Sequence, residues 1–333
     1  MRGVNLGGWL VSERWMTPSL YEGTRARDEY GLARTPGGPE RLRRHREEFL
    51  REEDFAWLAA HGVEAVRIPI GFWALDGAGP LAACSERIDW AFEQAARYGL
   101  RVLLCLHAAP GSQNGRDHSG RAGPPAWYLR ARHRRTTLEV LERLAGRYAR
   151  HPAWWGLELL NEPLPLLGHG TLRRFCRRAQ RRLCPILDGR GLLVYSDAFT
   201  PRLSAGMLRG RAGTGAVMDV HWYHFTFWAR RVVPLRRYLQ RTLPARRRLL
   251  RRLSSLGVRT IVGEWSAVVA GPVLQRLPET SREAVTRRHF RAQLTAYADA
   301  EAWFYWSYRT EEQGYWNFRW LVEQGWLDDP VVG

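Results

Sequence analysis

Eight short apolar runs, each followed by an amphipathic segment, constrain the fold of this chain more than any other feature. The runs are rich in branched residues, and most lack the alternation of a sheet with one exposed face. They lie at Gly3–Leu6, Ala65–Ile68, Val102–Leu106, Trp155–Leu160, Leu192–Ser196, Val217–His221, Thr260–Gly263 and Ala302–Trp306. Strands that are buried on both faces and alternate with helices are typical of parallel α/β sheets. The pattern therefore predicts repeated strand–helix units.

Three of the intervening segments carry an apolar stripe with helical spacing, and glycine or proline follows each of them. The stripes are Phe49, Phe55, Leu58 and Ala59; then Ile88, Ala91, Phe92 and Ala95; then Leu138, Leu141, Leu144 and Tyr148. Eight such units in 333 residues predict a single (β/α)8 barrel domain over residues 1–333. An open doubly wound sheet is the structural rival. It is disfavoured because Trp9 follows Gly7 and Gly8 after the first strand, where it would crowd a bound pyrophosphate.

The basic residues are exclusively arginine: 51 stand against 33 acidic residues, for a net charge of +18. The complete lack of lysine indicates a coding bias toward arginine, and no nucleic-acid-binding motif accompanies the charge, so we predict no nucleic-acid partner. The densest arginine segment runs from Arg230 to Arg259. We interpret it as the solvated face of an outer helix, with adhesion to acidic polymers or a membrane surface as the alternative.

The four cysteines form no CxxC pair, so the sequence predicts no zinc site. Cys105 lies in an apolar run and is interpreted as a small buried hydrophobe. Cys176 and Cys184 are too far apart for a disulfide if one continuous helix carries both, although Pro185 leaves a bend open. Cys84 completes the set, and nothing in the spacing demands a disulfide.

No apolar run reaches the roughly 18 residues of a membrane span. The chain opens at Met1-Arg2-Gly3 and passes directly into the first predicted strand, without the features of a secretory signal. We therefore expect a cytoplasmic protein, or a secreted one if a leader precedes this sequence.

Charged and aromatic side chains occur at the ends of successive predicted strands, which is where an α/β barrel places its catalytic groups. They are Arg67 on the second strand, His107 on the third, Asn161-Glu162-Pro163 on the fourth, His221 with Tyr223 on the sixth, Glu264 on the seventh and Trp306 on the eighth. A single histidine at a strand end is more often structural, and most barrel tryptophans pack the core. The ordered set together indicates a catalytic site.

The chain resembles glycoside hydrolase family 5 and, within it, the fungal exo-β-1,3-glucanases. Besides the strand-end residues, the resemblance is carried by Arg2-Gly3-Val4-Asn5-Leu6-Gly7-Gly8-Trp9, Thr17-Pro18-Ser19-Leu20, Pro110-Gly111-Ser112-Gln113-Asn114-Gly115, Glu158-Leu159-Leu160-Asn161-Glu162-Pro163-Leu164 and Gly263-Glu264-Trp265-Ser266-Ala267. It extends from Arg2 to about Leu327. It implies a (β/α)8 barrel and a retaining hydrolase of β-linked glucose that needs neither cofactor nor metal.

The resemblance implies Glu162 as acid/base and Glu264 as nucleophile. A retaining mechanism requires the two carboxyl groups to be about 5–5.5 Å apart, and this separation is our prediction. At that distance we expect the charge of Glu264 to keep Glu162 protonated. We expect Arg67 to hold Glu264 ionised through a charge-assisted hydrogen bond.

The remaining matched positions are expected to bind or orient the sugar. Tyr223 would donate a hydrogen bond to Glu264, and Asn161 would bind the sugar 2-hydroxyl. His107 and His221 are expected to bind sugar hydroxyls or to position the acid/base. Trp306 offers a flat apolar face, and its peptide bond to Ser307 is expected to be cis, as in the relatives.

Glu13 and Asp117 match positions that help to bind the terminal glucose in the glucanases, with solvated loop carboxylates as the alternative. Arg116 stands where the fungal enzymes usually carry phenylalanine, which predicts a different contact to the leaving sugar. Transglycosylation with the same two carboxylates is a second hypothesis. A non-catalytic carbohydrate-binding barrel is less favoured because Glu162 and Glu264 are both intact.

Overall fold

A closed parallel barrel forms the centre of the molecule. The computed structural model describes residues 1–164, 168–208, 215–226 and 231–327. Its strands there are β1 (Arg2–Asn5), β2 (Ala65–Gly71), β3 (Arg101–Ala108), β4 (Trp154–Glu158), β5 (Leu192–Ser196), β6 (Gly215–His221), β7 (Phe225–Thr226), β8 (Arg231–Val232), β9 (Arg259–Trp265) and β10 (Trp303–Tyr305). Strands β1 to β6, β9 and β10 close the barrel, and β7 and β8 form a separate antiparallel pair. The (β/α)8 prediction is confirmed, and the open doubly wound sheet is excluded.

Helices alternate with the barrel strands and surround them. They are α1 (Glu29–Ala33), α2 (Gly38–Glu48), α3 (Glu52–Ala60), α4 (Ser85–Arg97), α5 (Ala131–Tyr148), α6 (His169–Leu187), α7 (Pro201–Ser204), α8 (Leu235–Arg237), α9 (Leu243–Ser255), α10 (Gly271–Leu274), α11 (Glu279–Tyr297) and α12 (Phe318–Glu323). Two 3-10 turns at Pro18–Tyr21 and Asp117–Ser119 and a π turn at Tyr238–Thr242 supplement them. Within the described ranges, no helix combines the length and the apolar character of a membrane span.

The predicted apolar stripes bury α3, α4 and α5 against the barrel. Phe49 was wrongly assigned to the first of them, because it caps the C-terminus of α2 and is separated from α3 by two residues.

The strand ends also differ from the prediction. Strand β4 stops at Glu158, so Asn161 and Glu162 lie in the loop that follows it, although the Asn161 N–H still donates to the Leu106 carbonyl of β3 at 3.0 Å.

Alternate residues of each strand point into the barrel interior, which contains an apolar lower layer and a charged upper layer. The lower layer is apolar and contains Ala65, Leu103, Val194, Val217, Ile261 and Phe304. Phe304 covers Gly3, where a β-carbon would overlap the phenyl ring. Two residues further along β2 and β6, the inward side chains become Arg67 and Asp219, both fully buried. The upper layer is therefore ionic, and it lies directly beneath the barrel mouth.

The arginine-rich segment is only partly a solvated face. Arg230 lies outside the described residues, and Arg251 and Arg252 are exposed on α9 as predicted. Arg246 contradicts the interpretation: it donates to the Tyr223 carbonyl at 3.0 Å and to the Tyr297 hydroxyl at 3.3 Å, and its guanidinium carbon lies 5.2 Å from the centre of the Trp222 ring.

All four cysteines are free thiols. Cys176 and Cys184 share the single helix α6, which continues through Pro185, so the bend that would have allowed a disulfide is not there. Cys105 is buried, but it does not lie in purely apolar surroundings, because its sulfur accepts a hydrogen bond from Arg67 at 3.1 Å.

Candidate active site

A small pocket of about 270 Å³ opens at the barrel mouth, above the ionic layer. Its lining combines four carboxylates with aromatic rings: Glu13, Trp15, Arg116, Asp117, His118, Glu162, Tyr223, Glu264, Trp306 and Trp316. Polar groups that converge in a partly apolar concave site are typical of a ligand pocket. Six of the ten residues proposed from the sequence line it, namely Glu13, Asp117, Glu162, Tyr223, Glu264 and Trp306.

Glu162 and Glu264 enter this pocket from different sides of the barrel. Glu162 follows β4 with a left-handed backbone, φ 40°, and Glu264 lies near the end of β9. A register shift between β6 and β9 pairs Glu264 with His221. A carboxylate oxygen of Glu162 and one of Glu264 lie within 4.8 Å of each other. Such a separation suits a direct attack on a sugar, whereas an inverting pair is about 6.5–9.5 Å apart to admit a water molecule.

Glu264 is held by two hydrogen-bond donors. Arg67 donates to its Oε1 at 3.0 Å, and the Tyr223 hydroxyl donates to its Oε2 at 2.9 Å. Both contacts are those expected from the sequence. The two donors fix the orientation of the carboxylate and stabilise its ionised form.

His221 lies between the two glutamates and makes its shorter contact with Glu162. The distance from its Nδ1 is 2.8 Å to Glu162 Oε1 and 3.4 Å to Glu264 Oε2. Its Nε2 is 3.2 Å from Asp219 Oδ2. His221 therefore lies closer to Glu162, the residue expected to be the acid/base, than to Glu264.

The charge balance differs from the sequence-based expectation. Burial raises the pKa of Glu264 to about 7, despite the opposing charges of His221 and Arg67. Burial also acts to raise the pKa of Glu162, but the hydrogen bond and the charge of His221 outweigh it and lower that pKa. Burial lowers the pKa of His221, yet Glu264 and Asp219 together raise it well above its usual value. The proton expected on Glu162 is thus shared along the Glu162–His221 hydrogen bond and favours His221.

Two groups of potential metal ligands converge beneath the pocket: Glu158, Asp219 and His221, and Glu162, His221 and Glu264. The Arg67 guanidinium contacts one carboxylate in each group, at 2.8 Å from Glu158 and 3.0 Å from Glu264. It already supplies the positive charge that a cation would bring. We therefore interpret both groups as parts of a hydrogen-bonded acid/base network.

Asn161 and His107 lie behind the pocket wall rather than on it. Asn161 Oδ1 accepts from Arg67 at 2.8 Å, and its Nδ2 is 3.3 Å from His107 Nε2. The His107 ring stacks on Trp306, with ring centres 5.5 Å apart, and burial keeps its pKa well below the usual value. Both residues therefore support residues that line the pocket.

Trp306 forms one wall of the pocket, and its peptide bond to Ser307 is cis, as the resemblance implied. Glu13 is buried, which contradicts the alternative of a solvated loop carboxylate. Its Oε2 accepts from Trp15 Nε1 at 2.8 Å, whereas its buried Oε1 has no hydrogen-bond partner among the described residues. Asp117 lies beside it in the lining. A sugar hydroxyl would satisfy the free oxygen of Glu13.

Several residues of the site were not foreseen. His118 lines the pocket with its Nε2 3.6 Å from Glu162 Oε2, and Trp15 and Trp316 form part of the rim. Asp219 and Glu158 lie in the ionic layer below. Asp219 could have been predicted from the sequence, because it precedes His221 by two residues on the same strand and therefore lies on the same face.

Two proteins known by sequence are similar to this chain over nearly its whole length. No protein-family model matches the chain. The "Probable glucan 1,3-beta-glucosidase A" of Emericella nidulans is 32% identical over 374 residues, covering 100% of this chain and 91% of the relative. The "Glucan 1,3-beta-glucosidase" of Blumeria graminis is 31% identical over 385 residues, covering 99% of this chain and 87% of the relative.

Among solved structures, the rutinosidase from Aspergillus niger superposes with a TM-score of 0.79 at 21% identity, over 98% of this chain and 97% of the rutinosidase. That likeness supports the fold alone. The sequence relatives extend over nearly the whole chain. The chain therefore belongs to glycoside hydrolase family 5, in its glucan 1,3-beta-glucosidase branch, and is a retaining glycoside hydrolase.

Proposed function

We propose that this enzyme releases single glucose units from the ends of β-1,3-linked glucans and from simple β-glucosides, with Glu264 as nucleophile and Glu162 as acid/base. The observation that carries the assignment is the approach of these two carboxylates to within 4.8 Å at the floor of one pocket. The names of the curated relatives support the choice of β-1,3-linked glucose.

In the first step, a Glu264 oxygen attacks the anomeric carbon of the bound sugar while the bond to the leaving oxygen breaks. The proton shared between Glu162 and His221 across their 2.8 Å contact passes through Glu162 to that oxygen, which leaves Glu162 ionised and His221 neutral. The product is a glycosyl ester on Glu264. Arg67 and Tyr223 hold the carboxylate in place for the attack, because each donates to one of its oxygens.

In the second step, water enters on the side of the departed group and attacks the same carbon. Glu162, now ionised, accepts the proton from this water, and the bond between the sugar and Glu264 breaks. The lowered pKa of Glu162 suits this role as a base. Two inversions at one carbon leave the product in the β configuration.

The size and lining of the pocket support action at chain ends. A volume of about 270 Å³ suits roughly one sugar ring, and buried Glu13 and partly buried Asp117 offer carboxyl groups to its hydroxyls. A second sugar would extend past the rim, where Trp15 is 42% exposed. The Trp15 ring thus offers an apolar face to a leaving sugar or an acceptor sugar, despite the arginine at position 116.

The assignment is tested with an aryl β-glucoside and with laminarin-type oligosaccharides. We expect Glu264→Gln to lower kcat/KM by about a thousandfold or more, equivalent to at least about 4 kcal/mol of transition-state stabilisation. Glu48→Gln serves as the matched control, because it alters an exposed carboxylate on α2 that does not line the pocket. Activity of Glu264→Gln within tenfold of wild type would remove it as the nucleophile.

Azide distinguishes the two roles because it can replace either carboxylate in the reaction. A Glu264→Gly variant given azide should form the α-glucosyl azide from an activated aryl glucoside, by a single inversion. A Glu162→Ala variant should form the β-glucosyl azide, because azide then attacks the glycosyl ester on Glu264. The opposite pattern would exchange the two assignments. Product analysis of the wild type at high substrate concentration measures how much of the ester is transferred to a sugar instead of water.

A further inference from the structure

A groove of about 670 Å³ lies between α5 and α6, on the outer surface of the barrel. Six of its ten lining residues are arginines, and none is acidic: Arg134 and Arg135 come from α5, and Arg174, Arg177, Arg178 and Arg181 from α6. We call this surface the arginine groove. It is separate from the barrel mouth and plays no part in the proposed reaction.

The positive charges of the arginine groove are only partly compensated. Arg135 lies 3.8 Å from Glu139 on the same helix, whereas some surface arginines elsewhere form closer ion pairs, as Arg143 does with Asp76 and Arg147 with Asp89. In the part of the chain that the structure describes, Arg177, Arg178 and Arg181 have no hydrogen-bond or ion-pair partner for their side chains, and all three are exposed.

Helix α6 also cannot neutralise itself. Its residues from His169 to Leu187 include six arginines and no aspartate or glutamate. Arg174 and Arg178 are four residues apart, as are Arg177 and Arg181, and like charges at this spacing destabilise a helix. Among the residues that the structure describes, the acidic partner of the α6 arginines is Glu142 of α5, which pairs with Arg182 outside the groove. An anionic ligand would remove this repulsion.

The arrangement of the guanidinium groups indicates an extended ligand with repeated anionic groups. Arg174, Arg178 and Arg181 follow one another along the helix at intervals of about 4.5–6 Å, given a rise of 1.5 Å per residue. Each guanidinium can bind a carboxylate through two parallel hydrogen bonds. Charged groups on neighbouring sugar units of a linear polysaccharide recur at a comparable interval.

We propose that the arginine groove binds a linear acidic polysaccharide that carries carboxylates on successive sugars, and so anchors the enzyme to a carbohydrate matrix. A single-stranded nucleic acid fits less well, because such ligands stack their bases on exposed aromatic rings. The one aromatic residue of the groove, Phe175, is only 5% exposed. The choice of a polysaccharide also rests on the proposed function, whereas the anionic character of the ligand does not.

The test measures binding of a fluorescein-labelled oligogalacturonate by fluorescence anisotropy. The groove variant combines Arg177→Gln, Arg178→Gln and Arg181→Gln. The control variant combines Arg241→Gln, Arg248→Gln and Arg252→Gln, three exposed arginines that do not line the arginine groove. Both lower the net charge from +18 to +15, because each removes three of the 51 basic residues. All variants should keep wild-type activity on an aryl β-glucoside, which shows that they are folded.

We expect the groove variant to bind the oligogalacturonate at least tenfold more weakly than wild type, and the control variant within twofold. A neutral laminarin oligosaccharide of equal length should not compete, and added salt should weaken binding. Equal losses in the two variants would overturn the proposal, since net charge alone would then explain binding. No binding by wild type, or tighter binding of a single-stranded oligonucleotide of equal charge through the same arginines, would overturn it as well. Binding of the oligogalacturonate is also measured for Glu264→Gln, which lacks the proposed nucleophile. We expect wild-type binding, because the arginine groove plays no part in the proposed reaction.

Discussion

The Nε2 atom of His221 lies 3.2 Å from Oδ2 of Asp219, on the side of the imidazole opposite Glu162. Asp219 is fully buried, and its other oxygen, Oδ1, accepts the backbone N–H of Gly263 at 2.6 Å. Oδ2 of Asp219 accepts a hydrogen bond from His221 Nε2, which fixes a proton on that ring nitrogen. The other ring nitrogen can then exchange a proton with Glu162. We therefore propose that Asp219 is a positioning residue, which acts through His221 on Glu162, the proposed acid/base.

An Asp219→Asn variant should impair acid catalysis selectively. We expect the amide to retain its oxygen toward Gly263 and to present N–H to His221 Nε2, which forces the ring proton onto Nδ1 and toward Glu162. Glu162 must then accept rather than donate. General acid catalysis contributes about 10²–10⁴-fold, so kcat/KM should fall toward that range for a substrate with a poor leaving group. It should change much less for an activated aryl glucoside, which needs little protonation.

The same variant should also move the alkaline limb of the pH profile to lower pH, because the charge of Asp219 helps to raise the pKa of His221. Asp188→Asn, at an exposed αL position after α6, serves as the control. Equal losses on the two substrates, with an unmoved pH profile, would mean that Asp219 has only a structural role.

The pH dependence of kcat/KM should show an acid limb near neutrality. The nucleophile acts when it is ionised, and burial raises the pKa of Glu264 to about 7. The active form is therefore lost as the pH falls through about 7, and kcat/KM declines with it. A profile that stays flat down to the usual pKa of a glutamate would contradict this reading.

A Tyr223→Phe variant tests the origin of that limb. The Tyr223 hydroxyl lowers the pKa of Glu264 through a 2.9 Å hydrogen bond, so its removal should move the acid limb to still higher pH. The measurement is the pH profile of kcat/KM with an aryl β-glucoside for both proteins.

Much of the fold could be predicted because strand periodicity and strand ends are local properties. The eight barrel strands and the residues at their ends follow from short apolar runs and from the rule that catalytic side chains lie at the C-terminal ends of barrel strands. The same rule indicated Glu162 and Glu264 as candidate residues, whereas their expected roles came from the resemblance to glycoside hydrolase family 5.

The place of Glu158 in the ionic layer could not be predicted, because its contacts form only when the barrel closes. Glu158 stands among apolar residues in the sequence, and only the structure shows that its Oε2 accepts from Arg67 at 2.8 Å. The relative pKa values of Glu162 and Glu264 likewise depend on their distances from His221 Nδ1, which are 2.8 Å and 3.4 Å. No sequence pattern encodes so small a difference in distance.

The pocket carboxylate Glu13 should contribute to binding of the terminal sugar. Burial and the neighbouring charge of Asp117 raise its pKa well above the usual value, so we expect it to be neutral and to offer an O–H to the sugar. Glu13→Ala should lower kcat/KM by roughly 5- to 150-fold, because loss of a buried partner costs about 1–3 kcal/mol. Glu13→Gln, which imitates the neutral acid, should restore most of it. A Gln variant as poor as the Ala variant would show that Glu13 acts as an anion.

The close contact between Asp219 and Gly263 makes a prediction about stability. A methyl group at position 263 would overlap both carboxylate oxygens of Asp219. Gly263→Ala should therefore lower the free energy of unfolding by about 1–3 kcal/mol, as overpacking of a buried site does. Because it displaces Asp219, the variant should also reproduce the leaving-group dependence expected for Asp219→Asn.

Gly146 provides the matched glycine, since nothing lies within 4 Å of the position that its β-carbon would take on the exposed side of α5. Gly146→Ala should raise the free energy of unfolding by roughly 0.5–1 kcal/mol, because alanine favours the helix. Urea denaturation of both variants measures the two changes. If Gly263→Ala unfolds at the same urea concentration as wild type, the carboxylate of Asp219 can shift freely, and the proposed positioning of His221 loses its structural basis.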